Sequence, residues 1–91
     1  MTTNAEIAER GKKVLVHNYA PQPISVVRGE GCWLFDAEGR RYLDLMGGIA
    51  TTCLGHAHPK LRAALEAQAG LLWHASNLFT TEPQIRLAER L

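Results

Sequence analysis

A thiol and two imidazoles lie close together in the segment Cys53-Leu54-Gly55-His56-Ala57-His58, and His74 follows farther along the chain. Thiolate and imidazole groups are ligands that zinc prefers, so this spacing could form a metal site. There is, however, no second Cys or His pair at the distance that a zinc finger requires. The pattern therefore favours hydrogen bonds from His56 and His58 within a turn, and no metal ligands are assigned.

Three other positions carry groups suited to contact with a small molecule. Tyr19 lies on a loop next to Pro21, where a phenol can donate a hydrogen bond while its ring packs. The segment Gly47-Gly48-Ile49 places an apolar side chain beside two residues that allow a backbone to approach a ligand closely. Asn77 could offer its amide. Each has a structural alternative. Tyr19 could be a surface or core-edge aromatic, Gly47-Gly48-Ile49 a tight turn with a core isoleucine, and Asn77 a turn-forming asparagine.

The elements that would position these residues belong to the α+β class. The sequence predicts a short helix, a three-stranded antiparallel β-meander and two further helices. The predicted segments are a helix or arm over 1–16, a loop over 17–23, the meander over 24–46, a glycine-rich turn over 47–58, a helix over 59–73, a loop over 74–80 and the start of a helix over 81–91.

Helix starts and strand runs support this division. Thr3-x-x-Glu6 and Thr81-x-x-Gln84 both have the spacing of a capping box, and Pro83 falls in a first helical turn. Gly11 is a possible stop for the first helix. The apolar pattern alternates in three strand-like runs, Ile24–Arg28, Cys32–Phe35 and Tyr42–Leu45, with turns predicted at Gly29-Glu30-Gly31 and Asp36–Gly39.

The bulk composition limits what the chain can be. With 91 residues, 46% of them hydrophobic and 21% charged, it holds more apolar material than so small a body can bury, which suggests docking onto further protein. The last helical pattern reaches Leu91 without a stop signal and is expected to be cut short.

Charge and hydropathy exclude several partner classes. A net charge of +1 with no basic run argues against nucleic acid. No apolar run approaches the roughly 20 residues of a membrane span, and no signal-peptide pattern is present. The sequence predicts a cytoplasmic protein whose Cys32 and Cys53 stay reduced.

Four motifs together resemble a known family. They are Asn18-Tyr19-Ala20-Pro21, the run from Gly39 to Ala50, Leu54-Gly55-His56-Ala57-His58-Pro59, and the run from Ser76 to Gln84. They resemble the amino-terminal segment of class III aminotransferases that use pyridoxal phosphate (PLP), most closely the acetylornithine aminotransferases. The resemblance implies the amino-terminal part of the small domain of a fold-type I, aspartate aminotransferase-like enzyme.

The resemblance also implies roles for the substrate-contact residues. Tyr19 would hydrogen-bond the substrate α-carboxylate, and Gly48 and Ile49 would line the mouth of the active site. Relatives that act on free ornithine carry an aromatic residue at the position of Ile49. Asn77 would reach a substrate across the interface of a homodimer.

The implied activity is transfer of the terminal amino group of N-acetylornithine to 2-oxoglutarate, a step of arginine biosynthesis. An alternative is another ω-amino transaminase, acting on succinylornithine or 4-aminobutyrate. A hypothesis from a different class is a non-catalytic binding or assembly module formed by these 91 residues alone.

The chemistry of transamination needs a lysine that forms a Schiff base with PLP, and the available residues are Lys12, Lys13 and Lys60. All three lie in polar or helix-start positions where nothing would desolvate an amine. No catalytic and no cofactor-binding residue is therefore assigned. The family's lysine, acid partner and phosphate-binding loop are expected beyond Leu91, and the isolated chain is expected to be inactive.

Overall fold

A computed structural model describes all 91 residues, which form two compact units, Met1–His58 and Pro59–Leu91. The first unit contains helix α1 (Asn4–Val14), strands β1 (Val26–Glu30), β2 (Trp33–Asp36) and β3 (Arg41–Leu43), and the short helical turn α2 (Gly47–Ala50). The second contains helices α3 (Pro59–Ala69) and α4 (Glu82–Ala88). This order of elements confirms the predicted α+β class.

Helix α1 begins with the predicted capping box. The Glu6 amide donates to Thr3 Oγ1 at 3.2 Å, and the Thr3 amide donates to Glu6 Oε2 at 2.7 Å. The helix does not stop at Gly11 but continues to Val14, because a glycine inside a helix costs only about 1 kcal/mol relative to alanine. It ends where Leu15 takes an extended backbone.

The three strands form one antiparallel sheet in the order β1-β2-β3, as the meander pattern predicts. The hairpin between β2 and β3 is closed by Asp36, whose Oδ1 accepts hydrogen bonds from the amides of Glu38 and Arg40. The turn between β1 and β2 differs from the prediction. Strand β1 includes Gly29 and Glu30, because both pair with β2, so the chain reverses only at the next two residues.

The buried residues of the first unit form a polar cluster and not an apolar core. Asp36 and Asn4 are 2% and 5% exposed, and no hydrophobic side chain is buried. Asp36 Oδ2 accepts hydrogen bonds from Asn4 Nδ2 and from the Tyr42 hydroxyl, both at 2.8 Å. Asn4 Oδ1 in turn accepts from the Ser25 amide at 3.0 Å. These bonds attach helix α1 to the sheet.

The same cluster sets the ionisation of Asp36. Burial opposes the charged form, but the donors Asn4, the Arg40 amide, Tyr42 and the Glu38 amide outweigh it and lower the pKa of Asp36 to about 2. A carboxyl with a depressed pKa stabilises the fold at pH values above its unfolded pKa, and that contribution is lost as the pH falls toward the folded pKa.

We therefore expect an acid-dependent difference between the wild-type protein and Asp36→Asn. The thermal midpoint of the wild type should exceed that of the variant at pH 6. Part of this difference comes from the charge on Asp36, and about half of that part should be lost by pH 3. Thermal unfolding of both proteins at several pH values measures the gap. A gap that does not change with pH would show that ionised Asp36 does not stabilise the fold.

Helices α3 and α4 of the second unit are shorter than the sequence predicts. Helix α3 ends at Ala69 and not at residue 73, and the amides of Leu71 and Leu72 both donate to the Gln68 carbonyl as the chain leaves the helix. Helix α4 has Pro83 in its first turn, as predicted, and Thr81 as its N-cap. The capping box predicted there is wrong, because the Thr81 side chain makes no capping hydrogen bond.

Large apolar side chains remain exposed in both units, which agrees with the excess of apolar residues in the composition. They include Leu45, Met46 and Leu54 in the first unit, and Leu65, Leu71 and Phe79 in the second. None of the helices has the length and apolar character of a membrane span.

Candidate functional site

The predicted glycine-rich turn contains a left-handed helical turn, α2. Four successive residues have positive φ: 56° at Gly47, 63° at Gly48, 64° at Ile49 and 60° at Ala50. Glycine adopts this conformation readily, but a β-branched residue such as isoleucine does so rarely, at a cost of order 1–3 kcal/mol. Ile49 is nevertheless 84% exposed. Burial of Ile49 within these 91 residues therefore does not explain the strain.

Asp44 holds the start of this turn. Its Oδ1 accepts hydrogen bonds from the amides of Met46 at 3.0 Å and Gly47 at 2.9 Å. Its own amide donates to the Cys32 carbonyl at 2.8 Å, which fixes it to the sheet. Strand β3 consequently ends at Leu43, before the predicted end at Leu45, because the Asp44 side chain bonds the amides that follow it.

His56 completes the attachment from the other end of the segment. Its Nε2 lies 2.7 Å from Asp44 Oδ2, with the two side chains 19% and 8% exposed. The His56 backbone exchanges two hydrogen bonds with Gly31, and a Cβ on Gly29 would lie 2.6 Å from the His56 side chain. The Gly47 amide and the His56 imidazole stabilise the carboxylate of Asp44 against burial and lower its pKa.

Tyr19 is 84% exposed on the loop between α1 and β1, and its hydroxyl makes no hydrogen bond within the chain. The start of that loop is attached to α1, since His17 Nε2 lies 2.7 Å from the Lys12 carbonyl oxygen. The phenol is free to donate to an anionic group.

Asn77 lies in the second unit, on the loop between α3 and α4. Ser76 forms the turn there, because its Oγ accepts from the Leu78 amide and its carbonyl accepts from the Phe79 amide. The Asn77 amide makes no hydrogen bond and lines an open cleft of about 320 Å³ together with Gln68, His74 and Gln84. The observed turn therefore does not use the asparagine side chain.

The predicted site residues are thus distributed over both units. Gly48 and Ile49 share one turn, Tyr19 lies elsewhere in the first unit, and Asn77 lies in the second. Sequence reasoning missed Asp44 as the residue that fixes the turn. A sequence signal existed, since an aspartate shortly before a glycine pair is a common turn-forming arrangement.

The potential metal ligands do not converge. The structure places no group of three or more His, Cys, Asp or Glu side chains where they could hold an ion, and Cys53 is exposed. The prediction that both turn histidines form hydrogen bonds is confirmed for His56 and wrong for His58, whose Nδ1 is enclosed without a partner.

Comparison with known protein families identifies the family of this chain. The profile of the family described as aminotransferase class-III matches residues 14–91. The chain belongs to the class-III aminotransferases. The fold-type I architecture that the resemblance implies is confirmed by solved aminotransferase structures.

Individual relatives of this class-III chain include acetylornithine and ornithine aminotransferases. The acetylornithine aminotransferase of Streptomyces coelicolor is 49% identical over 89 residues, which are 98% of this chain and 22% of the relative. The crystal structure of an acetylornithine aminotransferase from Elizabethkingia anophelis matches 90% of this chain and 21% of its own with a TM-score of 0.86 and 34% identity. An ornithine aminotransferase from Toxoplasma gondii, which has PLP at its active site with partial occupancy, matches 97% of this chain and 21% of its own with a TM-score of 0.88 and 28% identity.

This class-III aminotransferase chain spans 21–22% of the length of the curated relatives it matches. Its residues do not fit PLP. Lys12 bonds Glu9 and its side chain is 67% exposed, while Lys13 and Lys60 are exposed as well, so no lysine lies in an apolar enclosure. The chain shows no nucleophile paired with a base, and it presents an exposed phenol at Tyr19 and an exposed apolar side chain at Ile49.

Proposed function

We propose that this chain is the amino-terminal, substrate-contacting segment of a PLP-dependent transaminase that transfers the terminal amino group of N-acetylornithine to 2-oxoglutarate. The observation that carries the proposal is the exposed Ile49 on a strained left-handed turn. Strain of this kind clusters at ligand sites, where the surrounding structure enforces it. An apolar wall suits the methylene chain and acyl group of the donor.

The identity of the donor follows from the relatives and from Ile49. Acetylornithine aminotransferases match at higher identity than the ornithine aminotransferase does. An aliphatic residue at Ile49, where the resemblance implies an aromatic residue for enzymes of free ornithine, agrees with an acylated donor. Such a donor retains an α-carboxylate, and the free phenol of Tyr19 supplies a neutral hydrogen-bond donor for it.

The exposed apolar surface supports the remaining parts of the proposal. Both units need further protein to cover side chains such as Leu45 and Phe79. We assign that cover to the remainder of the transaminase and to a second subunit, with Asn77 directed at the partner's substrate. The cytoplasm is the proposed location, where arginine biosynthesis would supply the donor.

Substrate profiling of the full-length protein tests the proposed donor. With 2-oxoglutarate as acceptor, kcat/KM should be highest for N-acetylornithine among N-acetylornithine, N-succinylornithine, ornithine and 4-aminobutyrate. A preference for 4-aminobutyrate would assign the chain to the rival ω-amino transaminases. A full-length protein with no transaminase activity would favour the binding-module hypothesis.

The isolated chain should not retain PLP. After incubation with PLP and removal of the excess by gel filtration, we expect no stoichiometric cofactor absorbance, because each lysine is exposed to water. Borohydride reduction followed by peptide mapping locates any covalent adduct. A stoichiometric adduct on Lys12, Lys13 or Lys60 would contradict this expectation.

A further inference from the structure

We infer that Asp44 and His56 are positioning residues that hold Ile49 in its left-handed conformation and so present its side chain to the acylated amino donor. This inference rests on the proposed function, since it takes Ile49 as the substrate-facing side chain. The observation behind it is that the two residues join the ends of the segment that contains the strained turn.

The hydrogen bonds inside the turn are local. The amides of Thr51 and Thr52 donate to the Gly47 carbonyl, and the Thr51 hydroxyl donates to the Gly47 and Gly48 carbonyls. Such bonds define the shape of the turn but attach it to nothing else. Positive φ at Ile49 and Ala50 persists only where the surroundings enforce it.

The attachment to the sheet comes from the two positioning residues. The Asp44 amide bonds the Cys32 carbonyl, and the His56 backbone bonds Gly31 in both directions, so both ends of the segment meet the same β1–β2 turn. The 2.7 Å contact between Asp44 Oδ2 and His56 Nε2 then joins the two ends of the segment 44–56. Gly29 leaves the space in which the His56 side chain lies, since any Cβ there would collide with it.

The test uses the full-length, PLP-loaded enzyme and two measurements. The first is hydrogen exchange of the peptide that covers residues 47–56, which reports on the turn without any substrate. The second is the ratio of kcat/KM for N-acetylornithine over ornithine. We expect Asp44→Ala to raise the exchange of this peptide about tenfold and to lower the ratio about tenfold, while the cofactor spectrum stays near wild type.

Substitutions at His56 separate the hydrogen bond from packing. His56→Phe keeps a ring over Gly29 but loses the donor, so it should change both measurements in the same direction as Asp44→Ala. The change should be smaller, because Asp44 keeps its bonds to the Met46 and Gly47 amides. His56→Gln can still donate to the carboxylate of Asp44 and should retain most of the wild-type behaviour. Glu30→Gln removes an exposed ion pair with Arg28 in the same sheet and serves as the matched control, for which neither measurement should change.

A double-mutant cycle decides whether the pair acts through Ile49. In an Ile49→Ala background, Asp44→Ala should still accelerate exchange but should leave the kcat/KM ratio unchanged, because the side chain that it positions is absent. Equal effects of Asp44→Ala in both backgrounds would contradict action through Ile49. If Asp44→Ala yields no folded protein, His56→Phe, which keeps the two amide bonds to Asp44, takes its place in the cycle.

The two measurements also separate this inference from the proposed function. Wild-type exchange in Asp44→Ala and His56→Phe would overturn the inference whatever the kinetics show. Faster exchange with an unchanged ratio in an active enzyme would overturn it as well, since a loosened turn would then not affect the donor. A wild-type enzyme that does not use N-acetylornithine would defeat the proposed function, while the exchange data would still decide whether the pair holds the turn.

Discussion

Replacing Tyr19 by phenylalanine in the full-length enzyme is expected to lower kcat/KM for N-acetylornithine by roughly 10- to 150-fold. The hydroxyl is the only group removed, and a hydrogen bond to a charged group contributes about 1.5–3 kcal/mol. Tyr19 is exposed and its hydroxyl has no partner in the chain, so its removal breaks no bond within these 91 residues. Steady-state kinetics with N-acetylornithine and 2-oxoglutarate measures the loss.

The same Tyr19→Phe variant should leave cofactor absorbance and the thermal midpoint unchanged. Activity toward 4-aminobutyrate provides an internal control, because that donor has no α-carboxylate for the phenol to bind. A fall in kcat/KM of the same size for both donors would indicate a general disturbance of the site. Unchanged kinetics with N-acetylornithine would mean that the Tyr19 hydroxyl does not contact the donor.

Local interactions explain which parts of the fold the sequence predicts well. The Thr3–Glu6 capping box joins residues three apart, and the β2–β3 hairpin depends on Asp36 and the amides that follow it. In both cases the partners are neighbours in the chain, so residue type and spacing are sufficient. The alternation of apolar residues also predicts the three strands and their antiparallel order.

The predictions are wrong where a residue type or spacing permits a local feature that the folded chain does not form. Gly11 is a stop signal by type, yet helix α1 passes through it to Val14, because a glycine inside a helix costs only about 1 kcal/mol relative to alanine. The spacing of Thr81 and Gln84 permits a capping box, but the Thr81 side chain does not form it. The spacing of two residues shows that a capping hydrogen bond is possible, but it does not show that the side chain forms it.

Some features of the candidate site could be predicted from the sequence and others could not. Tyr19, Gly48, Ile49 and Asn77 can be proposed from residue type and family resemblance, and the structure places all four at the surface. The contact between Asp44 and His56 could not be predicted, because it joins residues 12 positions apart through the folded sheet. The left-handed backbone at Ile49 could not be predicted either, since an isoleucine argues against it.

Replacing Ile49 by tyrosine in the full-length enzyme should change its preference between amino donors. The larger side chain would fill the space that accommodates the acyl group, and its hydroxyl would offer a hydrogen bond to a free amine or carboxylate. Changes of pocket shape alter discrimination by about 1–3 kcal/mol, so the ratio of kcat/KM for N-acetylornithine over ornithine should fall at least roughly tenfold.

Tyrosine can adopt the backbone conformation of Ile49, so the Ile49→Tyr variant is expected to keep the shape of the turn. Tyrosine is not β-branched, so the left-handed conformation that Ile49 adopts costs it no more than it costs isoleucine, and the exposed site has room for the ring. The variant should therefore keep its cofactor spectrum and thermal midpoint, and both are measured beside the kinetics. If such a variant shows the wild-type ratio, Ile49 does not face the donor, and the strain at Gly47–Ala50 requires an explanation other than substrate contact.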